Sequence, residues 1–547
     1  MTKPAQYREV ACNPYNDQRP GTAGLRKKVR VFQQPYYLET FLEAIFRTVD
    51  IPSGATLVVG GDGRYLNRES IPIIAGIAAA HGVGQLITGV DGLLSTPAAS
   101  HLIRARGAAG GLLLTASHNP GGPDGDFGVK FNTRAGGQAP ESVTEAIYAN
   151  SLEVHSFRIC ELPELPLART GVHALGGLQL EVIDSAADYA ALMETLFDFE
   201  RMASYLHSGH RVAFDAMHAV TGPYAREIFC ARLGAPASSV LNGEPLPDFG
   251  GGHPDPNPVD AAHLVTLALG TDAPDLIAAS DGDGDRNMIL GPGLMVSPGD
   301  SVAIMLHHAD KLPGYRQGIP GVARSMPTSR AVDLVAAALA IPCFETPTGW
   351  RYFCNLLEAG LIGLCGEESF GTGSAHTREK DGLWAVLFWL NLLAQLEQPL
   401  GAIVRDHWRR YGRHYYQRQD YFVADAARAQ GLVEWLRAEL PRLSGKSMDD
   451  ATIIAADDFC YRDPVDGSES AHQGIRVEFS DRTRVVYRLS GTGTAGATLR
   501  VYLEQYESDA TRLELPVAVT LEPLARRASG LGRIEQFTGL TAPTAVI

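Results

Sequence analysis

One junction recurs in this chain and constrains its fold more than any other feature: a short apolar strand running straight into a polar, glycine-bearing loop. It stands at 112–120 (LLLTASHNP), 276–285 (LIAASDGDGD) and 361–369 (LIGLCGEES). Short unbroken apolar runs suit strands covered on both faces, and helix-patterned stretches separate them, which is the rhythm of α/β units. Ala55–Gly60 predicts a buried strand closed by the turn Gly61-Asp62-Gly63. A helical pattern follows from Arg68 to Ala80, with Ile71, Ile73, Ile74 and Ile77 on its apolar side. Gly111–Leu114 reads as another strand, and Arg211–Asp215 repeats the pattern of the first. In such units the sites lie on loops beyond the strand ends. Identity between the three units is too weak to define a repeat by itself.

After about residue 410 the texture changes. Arg482–Arg488 and Ala497–Leu503 read as strands on either side of a Gly-rich loop, which predicts a fourth domain of α+β type. The chain has 547 residues, too many for one hydrophobic core. The expected division is 1–187, 188–295 and 296–405 as three related α/β domains, with 406–547 as the α+β domain. Pro245 to Pro258 reads as an ordered loop.

A net charge of −15 argues against a nucleic-acid binder. It leaves room for a phosphorylated small molecule, which needs only a local cluster of cations. The seven cysteines are scattered, odd in number and lack a C-x-x-C pair, as expected of a reducing compartment. With neither a signal-like N-terminus nor an 18-residue apolar run, the expectation is a cytoplasmic protein without a membrane anchor.

Four segments carry chemistry. In Thr115-Ala116-Ser117-His118-Asn119-Pro120 a serine sits at a strand-to-loop turn, with His118 beside it and Lys130 downstream to supply charge and proton traffic. Alone, such a turn is better explained as one that merely caps a helix, and no G-x-S-x-G elbow makes Ser117 a hydrolase nucleophile. In Asp281-Gly282-Asp283-Gly284-Asp285-Arg286, alternate aspartates converge hard oxygens suited to Mg²⁺. An EF-hand fails here, because its sixth position is Arg286 and its twelfth Pro292. Gly366-Glu367-Glu368-Ser369-Phe370-Gly371 offers acceptors and donors for sugar hydroxyls, although alone it reads by default as an exposed acidic loop, and the turn Thr346-Pro347-Thr348-Gly349-Trp350 could close over the same ligand. Finally, Arg488-Leu489-Ser490-Gly491-Thr492-Gly493-Thr494-Ala495-Gly496, with Arg500, matches a dinucleotide fingerprint in spacing only. The residues after it are strand-like, so a hairpin loop cradling a phosphate is the better reading.

In this order the segments resemble the α-D-phosphohexomutases across nearly the whole chain, from GTAGLR (21–26) to TAPT (541–544). The most specific stretches are TASHNPGGPDGDFGVKFN (115–132), DGDGDRNMILG (281–291), PTGW (347–350), GEESFGTGS (366–374), REKDGLWAVL (378–387) and RLSGTGTAGAT (488–498). The resemblance implies four domains around a deep cleft and exchange of phosphate between O1 and O6 of a hexose through a phosphoserine. Ser117 is then the phosphoserine. Asp281, Asp283 and Asp285 hold one Mg²⁺ per chain, with the serine phosphate completing the set. Thr22 and Arg26 lie near the nucleophile, and Arg286 flanks the metal. Glu367 and Ser369 read the sugar, while His376 and Lys380 approach the transfer site. Arg488, Ser490, Thr492 and Arg500 clamp the distal phosphate.

GEES, where dual mannose/glucose members commonly show GEMS, points to glucose 1-phosphate and glucose 6-phosphate as the pair interconverted, with glucose 1,6-bisphosphate as intermediate and activator. A broader hexose mutase, a silent phosphoprotein relative and a phosphatase are the alternatives. The partner expected is a hexose phosphate, the protein a monomer or weak dimer. Two departures from the family pattern stand out: Arg351 where Lys is usual, and Ala375 where Asp is usual.

Overall fold

The computed structural model describes residues 7–21, 23–490 and 496–547. Three sheets carry the same four-strand motif. In the first, Gln85–Gly89, Thr56–Gly61 and Gly110–Leu114 lie parallel in that order, and Asp126–Thr133 returns antiparallel to the last. The second repeats the order with Val240–Leu241, Val212–Asp215, Leu276–Ala279 and the antiparallel Met288–Gly291. The third uses Cys343–Thr346, Val322–Ser325, Leu364–Gly366 and the antiparallel Thr372–Ser374. The three polar loops read from the sequence thus occupy equivalent places, each joining a central parallel strand to its antiparallel return. The relation that sequence identity left weak is plain in the topology.

These units share one continuous apolar cluster, running from Val58 of the first through Phe214 and Leu276 of the second to Trp384 and Trp389 of the third. Its centre is the helix Gly382–Leu396, buried from Gly382 to Ala394. A helix apolar on every side can only sit inside a core. A second cluster covers the outer face of the first sheet.

The fourth unit is an antiparallel sheet packed on the helices Ala426–Leu443 and Val517–Gly532, with its own core. Its hairpin Thr483–Ser490/Ala497–Glu507 confirms that the glycine-rich loop opens a strand and not a helix. The expected division at 405/406 needs correction. Leu400–Tyr411 is one uninterrupted helix, packed by Leu400, Ile403, Val404 and Trp408 into the shared core. The chain leaves it at Gly412, whose φ of 81° suits glycine, and the last unit starts there.

Candidate active site

The site is assembled from the three equivalent loops. Ser117 sits at the tip of the first with φ 53°, a left-handed conformation that costs a non-glycine residue about 1–2 kcal/mol. Its neighbours hold it there. The Ser117 N–H donates to Thr115 Oγ1 at 2.7 Å, and its carbonyl accepts from the Arg64 guanidinium at 2.6 Å. Its hydroxyl donates to Asp281 Oδ2 at 2.8 Å and lies 3.3 Å from His118 Nδ1. Burial, reinforced by the Arg286 charge, keeps the His118 imidazole well below its usual range, so the ring is neutral at neutral pH.

The second loop lies directly against the first. A Cβ on Gly282 would stand 2.4 Å from the Ser117 carbonyl oxygen, so only glycine allows this approach. Gly284, with φ 81°, turns the chain so that Asp281, Asp283 and Asp285 bring carboxylate oxygens within 4.8 Å of one another, all buried. Thr96 and Thr115 hydroxyls donate to Asp283 Oδ2 at 2.9 and 3.1 Å, and the backbone of residues 285 and 286 caps Asp281 Oδ1.

Burial and mutual repulsion push Asp281 and Asp285 up. Burial also acts on Asp283, but Lys130, Lys380 and Arg26 outweigh it and hold Asp283 below its usual value. Asp283 Oδ1 and Asp285 Oδ1 are buried and accept no hydrogen bond among the described residues. Hard, buried, mutually repelling oxygens with free lone pairs are what a divalent cation of the Mg²⁺ or Ca²⁺ class requires, so the residues fit one. A second trio, His253, Asp255 and Asp260, is less suited: Asp255 serves Arg286 at 2.7 Å, and Asp260 serves Asn257 and His253.

Cations surround the aspartates. Lys380 Nζ is 3.1 Å from Asp285 Oδ2. Burial works against its charge, but Asp285 and Glu367 prevail and hold it as an ammonium. The Arg286 guanidinium, paired with Asp255, is likewise raised against burial. Arg26 lies near Asp283 and Asp285, with Nε buried and unbonded among the described residues. Lys130 Nζ donates to Glu379 Oε1 at 2.9 Å.

The third loop joins the second through Asn287, whose N–H and side chain both donate to the Phe370 carbonyl, at 2.8 and 3.0 Å. Glu367 Oε1 accepts the Gly349 N–H at 2.9 Å, which ties the Thr348 turn to the third loop. Burial raises Glu367, with Lys380 opposing. Ser369 is half-buried on the same loop, and Thr348 Oγ1 is buried without a partner among the described residues.

On the fourth unit the hairpin register sets Arg488 directly opposite Arg500 on one face, with Ser490 two pairs further toward the loop, opposite Thr498. Arg488 donates to the Gln473 carbonyl at 3.1 Å, and Arg500 lies 3.8 Å from Asp420. Arg500 also feels Glu368 and Arg286, which brings this face into the same field as the three loops. Thr22 and Thr492 lie outside the described residues.

His376 is a correction. Its ring is 2% exposed, with Nε2 2.9 Å from Asp381, Nδ1 2.7 Å from Ser374, and one face stacked on Trp384. Both nitrogens are engaged in bracing the start of the core helix, so it makes no approach to substrate. Conversely, sequence reading missed Arg64, whose side chain is fully enclosed. It pairs with Asp62 at 2.9 Å and donates to the carbonyls of residues 117, 119 and 126. Its only sequence signal was an Asp-Gly-Arg turn at a strand end.

Comparison with known proteins agrees with this geometry. Family models match in chain order: phosphoglucomutase/phosphomannomutase α/β/α domain I at 17–158, domain II at 187–293, domain III at 298–411, and the phosphoglucomutase-1 C-terminal domain at 413–544. The chain is 52% identical to a phosphoglucomutase of Rhizobium radiobacter, covering 98% of this chain and 99% of that one. It is 48% identical to a phosphoglucomutase of Schizosaccharomyces pombe, with 98% and 99% covered. The open form of pp63/parafusin, a phosphoglucomutase from Paramecium, superposes with a TM-score of 0.92 at 43% identity over the whole of both chains.

Proposed function

The chain belongs to the phosphoglucomutase/phosphomannomutase family, and from that membership we propose that it interconverts glucose 1-phosphate and glucose 6-phosphate through a phosphoserine at Ser117. The observation that carries this reading is the Ser117 hydroxyl, held in a left-handed turn 2.8 Å from Asp281 and shared between the first two loops.

Phospho-Ser117 gives its phosphoryl group to O6 of glucose 1-phosphate, and the glucose 1,6-bisphosphate so formed turns within the cleft. Ser117 Oγ then takes the phosphoryl group from O1, breaking the O1–P bond; O1 takes up a proton from water, matching the one O6 gave to water in the first step, and glucose 6-phosphate leaves. His118, neutral and 3.3 Å away, is placed to accept the Ser117 proton in that second step and to return it when the serine oxygen leaves. Lys130, Lys380, Arg26 and Arg286 form a fixed cationic field around the transferring group, already oriented before reaction. Asp281, Asp283 and Asp285 would hold Mg²⁺, together with the Ser117 phosphate. Bound there, it supplies Lewis-acid stabilisation of charge on the phosphoryl oxygens.

Glu367, Ser369 and Thr348 contact the sugar hydroxyls, and the Arg488/Arg500 face, with Ser490 and Thr492, receives the phosphate that is not transferring. We place the protein in the cytoplasm as a monomer or weak dimer; all seven cysteines are unpaired, and no described helix is long and apolar enough to cross a membrane.

The test is direct. Protein, Mg²⁺, glucose 1-phosphate and a trace of glucose 1,6-bisphosphate should yield glucose 6-phosphate until a chelator is added. Ser117→Ala should fold, lose turnover by at least roughly a thousandfold, and carry no phosphate in its intact mass. Wild-type-like turnover by that variant would remove Ser117 from the reaction. Equal turnover of mannose 1-phosphate would replace the glucose reading with a broader hexose mutase.

A further inference from the structure

Four consecutive residues between strand Thr372–Ser374 and helix Gly382–Leu396 all bond to residues of the first two units. The Arg378 N–H donates to Ser100 Oγ in the first unit at 2.9 Å. Glu379 accepts from Lys130 and Asn132 on Oε1 (2.9 and 2.8 Å) and from Gln138 on Oε2 (3.2 Å), all in the first unit. Lys380 pairs with Asp285 in the second unit at 3.1 Å. Asp381 accepts the Tyr189 hydroxyl at 2.6 Å and caps the core helix. Glu379 and Lys380 are thus joined by one peptide bond, yet Glu379 holds Lys130 of the first unit while Lys380 pairs with Asp285 of the second.

We propose that Glu379 is a positioning residue for phosphoryl transfer: it fixes the Lys130 ammonium and registers it, through the adjoining peptide, against Lys380 at Asp285. This rests on the reading above that places Lys130 in the active site.

A lysine is a point charge on a flexible four-carbon stem, so it serves as a fixed electrostatic element only if something restricts its rotamers. Here the Glu379 side chain is 0% exposed and that of Lys130 4%, so water cannot take over the task. Asn132 and Gln138 occupy further lone pairs of the carboxylate, which leaves it no freedom to follow a wandering ammonium. Lys380 stands 3.1 Å from Asp285, and Glu379 next to it holds Lys130, so the spacing between the two cations is part of what the transferring phosphoryl group meets. Interdomain adhesion alone would need a bond to the first unit, with no particular requirement that it end on Lys130.

The test is a double-mutant cycle read in kcat and KM in the exchange assay, with thermal unfolding alongside. Glu379→Gln should lower kcat by about 30- to 100-fold while KM stays within about threefold. In a Lys130→Met background the same change should cost less than about twofold, because the partner it acts through is gone. Gln138→Leu, which removes a Glu379 bond without touching Lys130, should keep kcat within about threefold. An equal loss from Glu379→Gln in both backgrounds, or a loss in Gln138→Leu as deep as in Glu379→Gln, would reduce Glu379 to interdomain glue and overturn the proposal. Should Glu379→Gln not fold, Glu379→Asp is taken through the same cycle, with the same outcomes deciding. Wild-type turnover by Lys130→Met alone would remove Lys130 from the site and the proposal with it, whereas an inactive wild-type protein would count against the mutase reading.

Discussion

At position 117 a serine occupies a backbone conformation usually left to glycine, and a buried arginine accounts for it. Arg64 supplies donors to three carbonyls of the serine loop and its return strand, and its charge is balanced by Asp62, itself fixed by Thr115. Strain of this kind persists only where its surroundings over-determine it. Arg64→Met should therefore do two things. It leaves the Asp62 carboxylate buried without its partner, which costs roughly 3–5 kcal/mol of stability by denaturant unfolding. It also frees the Ser117 loop, so kcat should fall by about a hundredfold or more. Lower stability with an unchanged kcat would mean that the loop keeps its shape unaided.

Among elements, the repeated strand–loop–return motif explains why three loops far apart in sequence converge. Each hangs from the same end of a central parallel strand, where α/β sheets present their sites. The outer helices need their own fixing. Glu43, on the helix Tyr37–Thr48, ties it to His81 at the end of the helix Asn67–Ala80 and to the Arg158 N–H on the strand Ser156–Cys160. Burial would raise the Glu43 carboxyl, but hydrogen bonds from His81 and Arg47 prevail and bring it down to about 2. A depressed carboxyl contributes stability that is fully present above its unfolded pKa and is lost as pH falls from there through about 2. Glu43→Gln should lower stability at neutral pH by roughly 1–3 kcal/mol and flatten the acid limb of a stability-against-pH curve. An unaltered acid limb would show that other carboxylates dominate it.

On the scale of the molecule, the first three units share a core to which the fourth contributes Leu513, its other core residues forming a cluster of their own. The seam between the third and fourth is mostly ionic: Arg330 pairs with Glu478 and Arg476 with Glu345, while Arg484 donates to the carbonyls of residues 326 and 328 and lies 3.9 Å from Glu345. A small apolar group including Met326, Tyr352 and Tyr502 lies beside it. Seams of this polarity permit relative motion, and turning a bisphosphate without losing it requires a clamp that loosens and closes. Arg330→Ala/Arg476→Ala should raise KM for glucose 1-phosphate about five- to twentyfold, change kcat little and enlarge the radius of gyration in solution scattering. An unchanged KM and radius would place the hold on Arg484 and the apolar group.

The amino-acid order alone determined what is local. Apolar runs announced the strands, alternating aspartates the acidic loop, a β-rich stretch after 496 the hairpin, and the segment around Ser117 a strand-to-loop turn, because each is written within a few residues. What joins those pieces is set by the fold. Glu379 meets Lys130 and Asp283 meets Thr96 across long stretches of chain, and nothing near any of these residues in sequence names its partner. The same reason misplaced His376, which is close to the sugar loop along the chain yet is claimed by Ser374, Asp381 and Trp384 once the core helix packs. It also hid the true start of the fourth unit, because the helix Leu400–Tyr411 is kept whole by the core it buries against. Partners buried together from distant positions depend on how sheets and helices pack, and only the tertiary structure decides that.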